Sequence, residues 1–360
     1  MDMNRSALMF PQTDPTPIFD AFRGNFSTEL LTAAVAHFHV FEQLRDGPRS
    51  FETLRAGCGL AERGAVVLFT VLRALDLLTR NAGGELELTA QSREHLITGA
   101  PFDVSGYIGL AVESPGVKDM VERLRTNTPA GVADANKGAA FIYREGIESA
   151  METEASARHL TMMLAGRARN CAPALAHGVP LSAARRLLDV GGGTGIYSIA
   201  CLQKNPRLRA LVWDRPEVLK VAAEMAGDYG VGERLECRVG DMFVDPFPAG
   251  CDVILLSNIL HDWDVPQCRA LLERCAAALP TGGRVLVHDV FINDDMDGPL
   301  PVALYSGALF YLTEGRAYSA AEYRRWLSEV GLATGELVPT LVHCGVLAGT
   351  KRAKLGNMGR

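Results

Sequence analysis

The stretch Leu187-Leu188-Asp189-Val190-Gly191-Gly192-Gly193-Thr194-Gly195 decides the fold. Apolar residues run straight into glycines, and Ile196-Tyr197-Ser198-Ile199-Ala200 continues without a breaker. This order predicts a buried strand, a tight turn and a helix. Glycines in the turn let a ligand come close to the backbone. The turn falls at the carboxyl end of its strand, where open α/β sheets bind nucleosides.

A dinucleotide site requires G-x-G-x-x-G, and a P-loop requires a lysine. Here glycines occupy 191, 192, 193 and 195, position 196 is Ile, and the turn holds no lysine. Asp214 follows Gly195 by 19 positions, at the end of Leu211-Val212-Trp213. That placement suits a carboxylate on a ribose diol. A glycine turn with a ribose acid and no phosphate cradle fits S-adenosylmethionine (SAM) better than NAD. An ordinary glycine turn in an α/β domain is the alternative reading of these two features.

Three further motifs follow in order: Trp213-Asp214-Arg215-Pro216, Gly240-Asp241-Met242-Phe243 and His261-Asp262-Trp263. With them the chain resembles the small-molecule SAM-dependent O-methyltransferase family, with its plant caffeate- and flavonoid-type members and its bacterial antibiotic-pathway members. The resemblance covers nearly the whole chain. It implies an α/β fold with a doubly wound, mostly parallel, Rossmann-like methyltransferase sheet. A mainly helical winged-helix dimerisation domain would precede that sheet. The expected layout is a dimerisation domain over 1–100, a linker with substrate-pocket helices over 101–182, a SAM-binding domain over 183–350 and a frayed tail over 351–360.

Composition narrows the class. The 360 residues are 48% hydrophobic and 22% charged, with a formal net charge of −6. That is globular, with ample length for one large core or two smaller ones. An acidic balance without a Lys/Arg block argues against nucleic acid as a partner. The polar start predicts no signal peptide, and no run of about 18 apolar residues predicts a membrane span. None of the eight cysteines forms a C-x-x-C pair, so reduced thiols in a cytoplasmic protein and no metal site are expected.

Along the chain, Phe22, Phe26, Leu30, Leu31, Ala34, Val35 and Phe38 recur at helical spacing. A helix is predicted from Phe51, capped by Ser50, and another over Ala65–Leu78. Asn81-Ala82-Gly83-Gly84 makes a turn, and Glu85–Thr89 alternates as a strand. Helices with a hairpin form a winged-helix pattern, which leaves a SAM-responsive DNA-binding regulator as a rival reading. Residues 101–180 read as helical, with a small-residue loop over Gly131–Gly138. Beyond 183, Leu235–Val239, Val253–Leu256, Arg284–Asp289 and Gly345–Gly349 are strand candidates separated largely by helices.

The resemblance also implies site residues. Asp189, Gly191 and Gly193 match the loop on the methionine side of SAM, and Asp214 matches the ribose ligand, with Arg215 beside it. Asp241, Met242 and Phe243 match the adenine contacts. Trp263 is either an adenine-packing aromatic or a core Trp. His261 matches the base that deprotonates the acceptor hydroxyl, S-adenosylhomocysteine being the second product. A phenol with a pKa near 10 is a poor nucleophile at neutral pH, and His is suited to removing its proton. Asp262 and Asp264 read as caps of the following helix.

Asp289 reads as a carboxylate that orients His261, or as a strand-end Asp. The family's second carboxylate would fall near Ala317, so it is missing, and Glu314 is the neighbouring substitute. Ser257, on the cofactor side, stands where plant members often carry Lys. These departures keep open a ring C-methyltransferase acting on a hydroxylated aromatic such as an amino-acid derivative. Met162 and Met163, and Tyr305, Phe310, Tyr311 and Leu312, are either pocket walls for a flat aromatic acceptor or core residues. The implied partners are an aromatic small molecule and a second copy of the chain.

Overall fold

The structure is a computed structural model that describes residues 5–128 and 154–353. The Gly131–Gly138 loop lies outside them. Ten strands form among the described residues: β1 (Leu78–Arg80), β2 (Leu86–Leu88), β3 (Arg186–Val190), β4 (Arg209–Asp214), β5 (Leu235–Val239), β6 (Val253–Ser257), β7 (Arg284–Ile292), β8 (Tyr318–Ser319), β9 (Leu332–Pro339) and β10 (Cys344–Lys351). The chain divides into two compact units. One holds Met1–Pro17, Phe141–Phe291 and Ala320–Arg360, and the other holds Ile18–Ala140 and Ile292–Ser319. The second unit therefore takes in Ile292–Ser319, a stretch that sequence alone allots to the SAM-binding part.

In the first unit the strands lie in the order β5-β4-β3-β6-β7-β10-β9. β3 pairs in parallel with both β4 and β6, and β6 pairs in parallel with β7. β3 and β6 are near-continuous apolar runs, as strands covered on both faces must be. Helices Ile196–Lys204, Pro216–Asp228, Val265–Ala278 and Ala320–Glu329 belong to this unit. The chain steps outward from β3 to β4 and β5, then returns to the far side of β3 as β6. That reversal makes the β3/β6 boundary a topological switch point, where the glycine turn sits.

The sheet closes with two antiparallel pairings, β10 with β7 and β10 with β9. β9 has no counterpart among the sequence expectations, because its pattern is half polar and carries no alternation. β10 runs on to Lys351, whose ammonium donates to the carbonyls of Ala276 and Leu279 at 2.7 Å. Lys351, expected to open a frayed tail, is thus the last residue of a strand, and residues 354–360 lie outside the described residues. The cation at the end of helix Val265–Ala278 answers unpaired carbonyls there.

β7 carries two polar residues in an otherwise apolar run, His288 and Asp289, both fully buried. Successive side chains of a strand point to opposite faces. Each therefore needs its own partners to offset the cost of burial.

The second unit is mainly helical. Ser50 caps helix Phe51–Cys58 by accepting from the Thr53 N–H. Helix Glu62–Ala74 is shorter than expected from Ala65–Leu78, because Leu78 opens the hairpin instead. β1 and β2 pair antiparallel, and Arg49 adds an isolated antiparallel bridge to Leu86 on β2. Helix Leu300–Leu312 is apolar nearly all round and mostly buried. On it, the Arg63 guanidinium lies 4.6 Å from the Phe310 ring, Arg23 lies 4.3 Å from the Tyr305 ring, and Tyr311 packs 4.5 Å from Phe26 and donates to Asp119. These three aromatics have packing partners inside their own unit. Leu312 is exposed.

Candidate active site

The site is built on the carboxyl ends of β3, β4, β6 and β7. Asp189 ends β3 fully buried, and its Oδ2 accepts from Ser198 Oγ at 2.7 Å. Its Oδ1 is buried without a hydrogen-bond partner. Burial pushes this carboxyl up to about 7, against the pull of Ser198. Gly191, Gly193 and Gly195 all adopt positive φ. A Cβ on Gly191 would come within 2.5 Å of Ile259 Cδ1, so the turn admits no side chain there.

Asp214 ends β4. Its Oδ2 accepts from the Gly193 N–H at 2.9 Å and its Oδ1 from the Arg215 N–H at 2.7 Å. Burial raises its pKa despite both amides. After β5, Gly240 packs against Trp213 so closely that any Cβ would collide with the indole. Asp241 Oδ1 accepts from the Phe243 N–H at 2.8 Å, and Arg215 pairs with its Oδ2 at 3.3 Å. Phe243 meets Trp263 edge-on at 4.6 Å, joining two motifs that lie far apart in the chain. Trp263 is half-buried, so it is not a core tryptophan. Met242 is half-buried beside this pair in sequence.

His261 sits in a short 3-10 turn after β6 and is only 4% exposed. Its Nδ1 lies 2.5 Å from Asp289 Oδ1. Asp289 Oδ1 also accepts from the Val290 N–H at 2.8 Å, and its Oδ2 accepts from Tyr323 Oη at 3.2 Å. Burial works to raise the Asp289 pKa, but His261, the Val290 amide and the charge of Arg167 hold it below the usual carboxylate range. An ionised carboxylate only accepts, so Nδ1 carries the proton and the Nε2 of a neutral ring carries the lone pair. Asp289 therefore meets the His261 ring from the strand.

Asp264 caps helix Val265–Ala278 through the Val265 N–H, as expected. Asp262 does not. Its Oδ1 lies 3.6 Å from His261 Nε2, buried and without a hydrogen-bond partner, because the 3-10 turn ends before the helix begins. Burial is the main force pushing this carboxyl up to about 6.

Ser257 contacts His288 Nδ1 at 2.8 Å and accepts from Asn258 Nδ2 at 3.1 Å. His288 Nε2 reaches Thr340 Oγ1 at 3.1 Å, and burial lowers its pKa to about 3, so it stays neutral. Met162 and Met163 lie on helix Glu154–Gly178 and are 38% and 66% exposed, which overturns the core reading for both. Glu314 belongs to the other unit, buried in a turn whose flanking carbonyls, Thr313 and Gly315, accept from Arg63.

Sequence reasoning missed Tyr323 and Asp262, and also Arg167, whose charge acts on Asp262, Asp289, His288 and Tyr197. Tyr323 lies 34 residues from Asp289, and no local pattern marks it. Asp262 could have been found from its place in the motif beside His261.

These residues fit SAM. An unpartnered buried carboxylate oxygen lies beneath a glycine turn closed to side chains, with a second carboxylate on the next strand. Among the described residues no group of three His, Cys, Asp or Glu could hold a metal ion, and no helix is long and apolar enough to cross a membrane.

The chain is similar to known proteins. Residues 131–333 match the O-methyltransferase domain family. A 3-hydroxy-5-methyl-1-naphthoate 3-O-methyltransferase of Streptomyces sahachiroi is 35% identical over 88% of this chain and 89% of its own. An L-tyrosine C(3)-methyltransferase of Streptomyces lavendulae is 28% identical over 83% and 81%. The structure of an O-methyltransferase family 2 protein from Planctomyces limnophilus DSM 3776, in complex with apigenin, superposes with a TM-score of 0.86 at 50% identity, covering 96% of this chain and 99% of that one. With a matched domain, a relative of this identity and extent and a glycine-turn site shaped for the cofactor, the chain belongs to the O-methyltransferase family and is a SAM-dependent methyltransferase.

Proposed function

We propose that this enzyme methylates a hydroxyl of a phenolic or catecholic small molecule in secondary-metabolite biosynthesis, with His261 as general base. The observation that carries the reading is the His261–Asp289 pair, which leaves Nε2 as the basic nitrogen. The Streptomyces sahachiroi relative acts on a hydroxynaphthoate, and the Planctomyces limnophilus neighbour holds apigenin; both are aromatic hydroxyl compounds.

SAM supplies, when bound, an electrophilic methyl carbon on a sulfonium. Asp189 and the Gly191–Gly193 turn would hold its methionine end, and Asp214 would accept from the ribose hydroxyls. Asp241, Met242, Phe243 and Trp263 enclose the adenine, with Arg215 fixing Asp241. His261 Nε2 would take the proton of the acceptor hydroxyl; the oxygen lone pair would then be free to accept the methyl as its C–S bond breaks, the electron pair of that bond leaving with S-adenosylhomocysteine. The Asp289 carboxylate steadies the imidazolium that results, as the acid does in other His–Asp pairs. Positioning of the two reactants supplies much of the remaining rate.

The exposed apolar side chains Ile18, Phe22, Phe102, Tyr107 and Leu110 of the helical unit support a homodimer formed there. Seven of the eight free thiols are buried, and all fit a reducing cytoplasm. The tyrosine C-methylating relative favours a second reading, in which the same base ionises a phenol and a ring carbon attacks.

The test is incubation with methyl-labelled SAM and a panel of apigenin, catechol and 3-hydroxynaphthoate, with products read by mass spectrometry and NMR. Label on oxygen is the expected outcome. Label on a ring carbon moves the enzyme to the second reading, and release of S-adenosylhomocysteine without a labelled acceptor overturns both.

A further inference from the structure

We infer that Tyr323 is a positioning residue for methyl transfer, holding the Asp289 carboxylate in the rotamer that fixes His261. The inference rests on the His261-base reading. Asp289 hangs from β7 on two rotatable bonds, and one oxygen alone cannot lock it. Its Oδ1 is shared between His261 Nδ1 at 2.5 Å and the Val290 N–H at 2.8 Å. Rotation about the carboxyl bond is stopped only by what holds Oδ2, and there Tyr323 Oη donates at 3.2 Å.

Tyr323 is built to stay put. It is fully buried on helix Ala320–Glu329. Its ring meets Phe291 edge-on at 5.6 Å and Trp326 edge-on at 5.4 Å. Phe291 lies two residues after Asp289 on β7 and so shares its face of the sheet. The strand that presents the carboxylate therefore also seats the ring that restrains it. A plant-type second carboxylate is missing near Ala317, and a neutral phenol on Asp289 is a different solution to the same orienting task.

Tyr323→Phe tests this, since it removes one oxygen and keeps the ring packing. The rate is measured on whichever of apigenin, catechol and 3-hydroxynaphthoate is methylated fastest. We expect kcat to fall about 10- to 100-fold, the scale of a lost hydrogen bond to a charged group. KM for SAM should be unchanged, while Tm should fall because Asp289 Oδ2 is left buried without a partner. In an Asp289→Asn background the same change should cost less than about twofold, because the two act as one unit. The low-field proton resonance of His261 Nδ1–H, which needs no acceptor, should shift or broaden in Tyr323→Phe.

A variant with wild-type kcat and an unaltered resonance overturns the inference, as does an equal loss in both backgrounds. Asp289→Asn at the wild-type rate would overturn the base reading along with it. Slow Asp289→Asn with silent Tyr323→Phe removes Tyr323 alone.

Discussion

The two halves of the sheet's carboxyl edge treat their carboxylates in opposite ways. On the β3–β4 side, burial leaves Asp189 and Asp214 with raised pKa values, and one Asp189 oxygen has no partner. On the β7 side, Asp289 is as deeply buried yet held below its ordinary range, with both oxygens engaged by the protein. An acid left wanting a partner is suited to a ligand that brings one. An acid already satisfied is suited to managing a neighbouring side chain. Asp214 stands between the two, its pKa raised but both oxygens on backbone amides, and in the proposed reading Asp189 binds while Asp289 orients.

The sharpest way to break the contrast is at the base. His261→Ala should lower kcat by about 10²–10⁴-fold, the range for general acid–base catalysis, while SAM affinity measured by calorimetry hardly moves. A variant of near-normal rate would remove His261 from the mechanism. The binding half should behave conversely. Asp214→Ala should weaken SAM binding by about 10- to 100-fold, as expected for charged hydrogen bonds to the ribose, with a smaller effect on kcat at saturating SAM. An unchanged Kd would show that Asp214 only braces the glycine turn through Gly193.

Asp189 gives the smallest effect and the most diagnostic one. Its pKa of about 7 means that it gains charge as pH rises from 6 to 8, so SAM, with its ammonium, should bind more tightly across that window by about tenfold. Asp189→Asn should flatten the dependence. A raised folded-state pKa also means that stability is full below the ordinary carboxylate range and is lost as pH rises toward 7. The Asn variant should therefore have the higher Tm at pH 8 without SAM. A steeper pH profile in the variant would contradict both statements.

Much of the cofactor half was legible in the sequence. Leu187–Gly195 encodes its strand, turn and helix within nine consecutive residues and the five that follow, and the glycines report close approach by themselves. β4, with Asp214 at its end, was legible for the same local reason. The acceptor half was legible only through its motif. That His261 meets Asp289 depends on register across β6 and β7, which pairs Ser257 with His288. Tyr323 arrives from a helix that lies between β7 and the antiparallel strands β9 and β10, and β9 has too polar a pattern to be seen. Asp262 was misread because a cap and a ring partner need the same residue type, and only the 3-10 turn decides between them. The aromatics of Leu300–Leu312 had a pattern that fits either a pocket or a core, and Arg63, Arg23 and Asp119 are what engage them.

The back-to-back placement of His288 and Asp289 on β7 limits how this enzyme can evolve. Inserting or deleting one codon anywhere between the start of β7 and residue 288 would turn the carboxylate toward Thr340 and the neutral imidazole toward His261. Both chemistries would be lost in one event. Lineages of this protein should therefore tolerate substitutions along β7 far better than length changes, and new acceptor preferences should arise in the turns and helices around it.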